Sequence, residues 1–171
     1  MEADHSQAEG CFVFTARVLA ACPENAALLG NDLSYIVNQN RLTGFVQACR
    51  ELGRSLEQTP IRVNLGTQEA VSAAVEELLG QGIRKFVCMD DEICIRTLIA
   101  FSKLRHLGSE EAEAVSLCDN AMLENHDPPV SALHFDAAEL GRTACRELLK
   151  CLRNEPFDPN PLLDYEIKIR K

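Results

Sequence analysis

Residues 85–120 read KFVCMDDEICIRTLIAFSKLRHLGSEEAEAVSLCDN, and this stretch decides the fold. KFVCM (85–89) is a short apolar run of strand length that ends abruptly in Asp90-Asp91. Residues 91–106 carry apolar side chains at helical spacing and on more than one side, which predicts a helix buried between layers. AVSLC (114–118) is a second strand, again ending in polar residues, Asp119-Asn120. Strand, helix and strand in about 30 residues form a parallel crossover unit.

The same alternation extends in both directions. Upstream, residues 9–22 read as a helix with Phe12, Val13, Ala16, Leu19 and Ala20 on one face, stopped by Pro23. AALLG (26–30) is a buried strand. Residues 38–52 follow the i, i+3, i+4, i+7 rule through Leu42, Phe45, Val46, Cys49 and Leu52, with Gly53 at the C-terminal cap position. IRVNL (61–65) is a strand, and Thr67 caps a helix with the stripe Val71, Ala74, Val75, Leu78 and Leu79, ended by Gly80 and Gly82. Downstream of Pro128-Pro129, SALHF (131–135) is extended. Asp136 and Glu139 have capping-box spacing for a helix running to about Arg153 through Leu140, Ala144, Leu148 and Leu152. Residues 162–169 alternate, with Leu163, Tyr165, Ile167 and Ile169 on one side. The expected fold is α/β, a parallel sheet with helices on both faces. In such sheets ligands bind beyond the carboxyl ends of the strands, and this puts Asp90 and Asp119 on the binding edge.

Composition narrows the function. The 171 residues are 46% hydrophobic and 25% charged, with a formal net charge of -9. Phosphate contacts favour basic faces, and no Lys/Arg cluster is present, so direct nucleic-acid binding by this chain is not expected. No apolar run reaches the roughly 20 residues of a membrane span, and the polar N-terminus MEADHSQAEG is no export signal. A cytoplasmic location with reduced thiols is expected. The eight cysteines contain no C-x-x-C pair, which gives no support to a zinc ribbon; small-hydrophobe roles fit their apolar contexts.

Recognisable enzyme motifs are missing: there is no phosphate-binding glycine loop and no G-x-S-x-G elbow. His5, His106, His126 and His134 form no catalytic pattern with Cys or Ser. MDDE (89–92) with Asp119 offers carboxylate oxygens to Mg²⁺, which frames one alternative: a Mg²⁺-dependent phosphoacceptor or hydrolase using Asp90, Asp91 and Asp119. Against it, Asp91 can simply cap the following helix. Arg41 opens the helix NRLTGFVQACRELG near the same edge, where a guanidinium can hold ligand oxygens by forked hydrogen bonds.

Several stretches, taken in order, resemble the lac- and gal-repressor-type transcriptional regulators. NQNRLTGFVQACRELG resembles their R-x-x-G-F-x-x-A-x-x-x-x-G helix. KFVCMDDEICIRTLIAF resembles their strand and N-D-x-x-A-x-G segment, and AVSLCDNAML their V-S-x-x-G-[FY]-D-[DN]. DPPVSALHFDAAELGRTACRELLKCL and the closing LLDYEIKIRK resemble their final crossover and last strand. The resemblance implies a two-lobed effector domain like type 1 periplasmic binding proteins, with a sugar or nucleobase held between the lobes. By position it makes Arg41, Asp90 and Asp119 the ligand contacts, with no catalytic residue, metal or cofactor.

The chain departs from the pattern at Asp90, Cys94, Arg96, Leu65-Gly66 and Leu117-Cys118. On this reading residues 1–171 are one effector-sensing lobe plus crossover segments. DNA contact belongs to a helix-turn-helix domain absent from this chain. Helix 136–153, which in the family packs on the other lobe, needs a partner. A fragment of a longer regulator or a homodimer is expected.

Overall fold

The computed structural model describes residues 5–21, 25–57, 59–159, 161 and 164–170. Among the described residues, six strands form one sheet: β1 (Ala26–Leu29), β2 (Ile61–Arg62), β3 (Lys85–Cys88), β4 (Glu113–Ser116), β5 (Ala132–Phe135) and β6 (Tyr165–Lys168). Their spatial order is β2-β1-β3-β4-β5-β6. The first five run parallel, and β6 pairs antiparallel to β5, with Leu133 opposite Ile167. The expected parallel sheet with helices on both faces is thus present, with an antiparallel strand added at one edge. The chain leaves β5 at the carboxyl edge, forms a helix and re-enters at that same edge, so the returning strand must run backwards.

Helices cover both faces. α1 (His5–Ala20) and α2 (Ile36–Glu51) lie on one. There Cys11, Phe14, Val18, Leu19, Phe45 and Cys49 pack against Leu28, Val87, Val115, Leu117 and Leu133. α3 (Gln68–Gly80) and α4 (Asp91–Lys103) lie on the other, packing Val71, Val75, Leu78, Ile93 and Ala100 against Ala27, Leu29, Phe86 and Cys88. Successive strand residues point to opposite faces, so Ala27 and Leu29 serve one layer while Ala26 and Leu28 serve the other.

The α3 stripe is buried as its periodicity requires, and Thr67 accepts the Ala70 amide at 3.2 Å. Gly53 takes φ +66° just past α2, in the left-handed conformation that a helix stop favours. Other expectations shift. The buried face of α1 is Cys11, Phe14, Thr15, Val18 and Leu19, rotated from the predicted one. Gly10 sets that rotation: a Cβ there would stand 3.1 Å from the Tyr165 ring, so the helix approaches β6 on its bare side. β2 stops at Arg62 because Asn64 turns to φ 60°. Asp90, not Asp91, caps α4, accepting the Ile93 amide at 2.8 Å. Pro23 and Leu163, together with Cys22 at the end of the helix expected over 9–22, lie outside the described residues.

α6 (Ala137–Leu152) stands apart from both layers. Asp136 caps it, accepting from the Ala138 and Glu139 amides at 2.9 Å each. Glu139 turns to Arg142 and Thr143, so the reciprocal half of the capping box is not made. Thr143 is the one buried residue of α6, while Leu140, Leu148, Leu149 and Leu152 are 51%, 58%, 50% and 70% exposed. The predicted apolar stripe exists and has no partner layer among the described residues.

Candidate functional site

The carboxyl edge collects the polar residues that the strands release. Asp90 follows β3 through Met89. Asp119 follows β4, and the short α5 (Ala121–Glu124) begins just beyond it. Arg41 reaches the edge from the second turn of α2.

Arg41 is 8% exposed, and its Nε has no hydrogen-bond partner among the described residues. Its Nη1 donates to Asn38 Oδ1 at 3.3 Å, back toward the helix N-terminus. Its charge acts on both Asp90 and Cys118, which joins α2 electrostatically to the ends of β3 and β4. Burial pushes the Asp90 carboxyl above the usual value, and Asp91 and Glu92 add to this, while the Ile93 amide and Arg41 oppose it. Burial likewise raises the Cys118 thiol against the pull of Arg41. A protonated thiol is a poor nucleophile.

Asp119-Asn120 divides its work. The Asp119 side chain is 2% exposed. Arg170 Nη1 donates to Oδ1 and Nη2 to Oδ2, both at 2.8 Å. His134 Nδ1 lies 3.2 Å and Lys168 Nζ 3.5 Å from Oδ2. Burial raises the Asp119 carboxyl, but the Arg170 hydrogen bonds and charge, joined by Lys168, outweigh it and hold the group below the usual aspartate value. Asn120 Oδ1 caps α5, accepting from Met122 and Leu123 amides, and its Nδ2 donates to Asp91 Oδ2 at 2.6 Å.

Arg170 is the residue the sequence reading passed over. It donates also to the Val130 carbonyl at 2.7 Å. The Ser131 hydroxyl donates to the Arg170 carbonyl at 3.1 Å and accepts its amide at 3.0 Å. The signal was present in EIKIRK: alternation places Glu166, Lys168 and Arg170 on one side of β6. What was missing was the antiparallel pairing that brings that side to Asp119.

Asp90, Asp91 and Asp119 thus each engage a different partner. Among the described residues no group of three or more His, Cys, Asp and Glu is arranged to hold a metal ion. Arg96, at a departure from the family pattern, is tied to Glu92 at 2.6 Å and also donates to the Leu65 carbonyl at 3.4 Å. Cys11, Cys49, Cys88 and Cys94 are buried, whereas Cys145 and Cys151 are exposed on α6. A separate cleft of about 460 Å³ opens at the amino ends of β4 and β5 between Leu98, Phe101, His126, Pro129 and Ser131. No described helix is long and apolar enough to cross a membrane.

A family model described as the periplasmic binding protein-like domain matches residues 22–171. The chain belongs to that family. Among the relatives is the HTH-type transcriptional regulator MalR of Streptomyces coelicolor, 25% identical over 126 residues, a match covering 71% of this chain and 37% of that protein. The regulator reg1 of Streptomyces lividans is 24% identical over 127 residues, with the same coverage. Among solved structures, the transcription regulator CcpA of Lactococcus lactis superposes with TM-score 0.82 at 22% identity, covering 96% of this chain and 61% of its own. A dimeric Lac repressor with a C-terminal deletion gives 0.83 at 19%, covering 97% and 61%. These likenesses establish the fold, and the chain spans little over a third of the length of the two sequence relatives.

Proposed function

We propose that this chain is the effector-sensing lobe of a lac-repressor-type transcriptional regulator. It is a sensor without catalytic activity, and Arg41, Asp90 and Asp119 frame the ligand position. The observation that carries the reading is the buried guanidinium of Arg41, with an unpartnered Nε, facing the ends of β3 and β4. Such a donor in a recess is suited to a small molecule bearing oxygen acceptors. Family membership and relatives named as transcriptional regulators support the same class.

Signalling follows from linkage. A ligand that contacts this edge and a facing layer favours the closed arrangement of the two, and changes whatever assembly depends on it. α6 rises from this edge with its leucines uncovered, which supports its role as the contact to a facing layer. DNA contact would come from a helix-turn-helix domain outside this chain, in a cytoplasmic homodimer.

A thermal-shift panel of sugars and nucleobases, run beside Mg²⁺ alone, tests the proposal. Stabilisation by a panel member, lost in Arg41→Gln, is the expected result. Stabilisation by Mg²⁺ alone, lost in Asp119→Asn, would instead support phosphoacceptor or hydrolase chemistry.

A further inference from the structure

Among the described residues, Arg41 is the one buried charged group at the carboxyl edge with a donor left over. Among the described residues its guanidinium makes a single long hydrogen bond, 3.3 Å to Asn38, and its Nε has none. That bond lays the guanidinium against the first turn of α2. The turn has no acidic residue, and Tyr35 at its cap makes no side-chain hydrogen bond to it. The Asn38 and Gln39 amides bond the Tyr35 carbonyl, so it is the Ile36 and Val37 amides, at the positive end of a 16-residue helix, that lie with a nine-tenths-buried guanidinium and are short of acceptors among the described residues. The turn is accessible: Tyr35 and Ile36 are each 63% exposed.

The nearby carboxylates do not fill the gap. Asp90 gives one oxygen to the Ile93 amide and Asp91 one to Asn120; Asp32, whose carbonyl accepts from Asn38 Nδ2, gives its carboxylate to the Ser34 amide. Asp119 gives both oxygens to Arg170, and its Oδ2 also faces His134 and Lys168. A hydroxyl donor arriving at Asp119 meets a carboxylate already surrounded by donors. Arg170 therefore takes Asp119 away as an acceptor for a neutral polyol and leaves the acceptor-seeking Arg41 as the polar anchor.

We infer that the ligand of this edge carries a phosphate or carboxylate group, whose oxygens bind the Arg41 guanidinium and the open first turn of α2, with Arg170 setting that preference by occupying Asp119. The inference rests on the sensor role proposed above and adds the chemical class of the ligand. Charge-assisted, forked hydrogen bonds make an oxyanion the strongest acceptor that a guanidinium can take, and amides at a helix N-terminus favour the same charge.

Calorimetric titration of the 171-residue chain at fixed ionic strength tests it, with inorganic phosphate, glucose 6-phosphate, citrate and glucose as probes. The expected result is that phosphate or carboxylate compounds bind roughly tenfold or more tighter than glucose. Arg41→Gln abolishes the difference and Arg41→Lys keeps part of it. Binding by the phosphates alone or by citrate alone supports the inference and identifies which oxyanion is read. Amide shifts in the wild-type chain locate the site independently of any variant: Ile36 and Val37 move on binding. Glucose binding as tightly as glucose 6-phosphate, with loss in Arg41→Gln, overturns the oxyanion preference and leaves the sensor role standing. Oxyanion shifts confined to other residues overturn the placement. Failure of every probe to bind overturns both.

Discussion

Arg170 donates from both Nη atoms to the two carboxylate oxygens of Asp119, at 2.8 Å each. The pair ties the end of β6 to the loop after β4 across the whole of β5, and both side chains are nearly buried, 12% and 2% exposed. Removing one member strands the other charge away from water. Arg170→Met is expected to cost about 3 kcal/mol, the low end of the range for a broken buried pair. The double variant Arg170→Met/Asp119→Leu recovers part of that loss, because neither member of the buried pair is left without the other and the Lys168 ammonium, a quarter exposed, can turn to water. Urea unfolding of the three proteins measures both numbers.

The same pair gives an acid limb to stability. Against the raising effect of burial, the Arg170 hydrogen bonds and charge hold the Asp119 carboxyl below the usual aspartate value when folded. Its stabilising contribution is complete above that value and is lost as pH falls through the depressed folded one. Unfolding free energy measured from pH 7 down to pH 2 falls steeply below about pH 4, and the part due to this group is missing in Asp119→Asn. An unchanged acid limb in that variant would remove the pair from the explanation.

Asp90 behaves with the opposite sign. Burial raises its carboxyl, so its ionisation is less favourable folded than unfolded, and stability declines as pH rises through the folded value. Asp90→Asn keeps an oxygen for the Ile93 amide and removes the buried charge. At pH 7 it is expected to be at least as stable as the parent, by up to about 1 kcal/mol. Asp90→Ala loses the cap of α4 and is expected to cost about 1 kcal/mol. The contrast between the two variants, read by thermal unfolding, separates charge from capping.

α6 contributes little to the stability of this chain by itself. Leu148→Gln and Leu152→Gln remove side chains that are 58% and 70% exposed, and each is expected to change unfolding free energy by no more than about 0.5 kcal/mol. A loss of 2 kcal/mol or more in either variant would mean that this face is covered in solution. Light scattering on the same variants then shows whether a second copy covers it.

The layers were legible in the sequence because burial leaves a period. The α3 stripe, the strand runs and the crossover order follow from apolar spacing alone. The rotation of α1 was not legible, because its apolar residues fill two stripes and the deciding contact, Gly10 on Tyr165, is distant in sequence. β6 read as a strand, but a strand carries no mark of its direction. The two ends of the Asp119–Arg170 pair are 51 residues apart, and only the reversed edge strand joins them. Asp90 and Asp119 read correctly as edge residues from their place after apolar runs. Their hydrogen-bond partners could not be read, since those depend on packing between elements.

The central claim is that the carboxyl edge, and not the cleft at the amino ends of β4 and β5, receives the small molecule. A ¹H–¹⁵N correlation spectrum of the chain, recorded during titration with the strongest-binding probe, tests this most directly. The account predicts shifts concentrated at Ile36, Val37, Arg41, Asp90, Cys118 and Asp119. Shifts concentrated instead at Phe101, His126 and Ser131, with the edge residues unmoved, would contradict it.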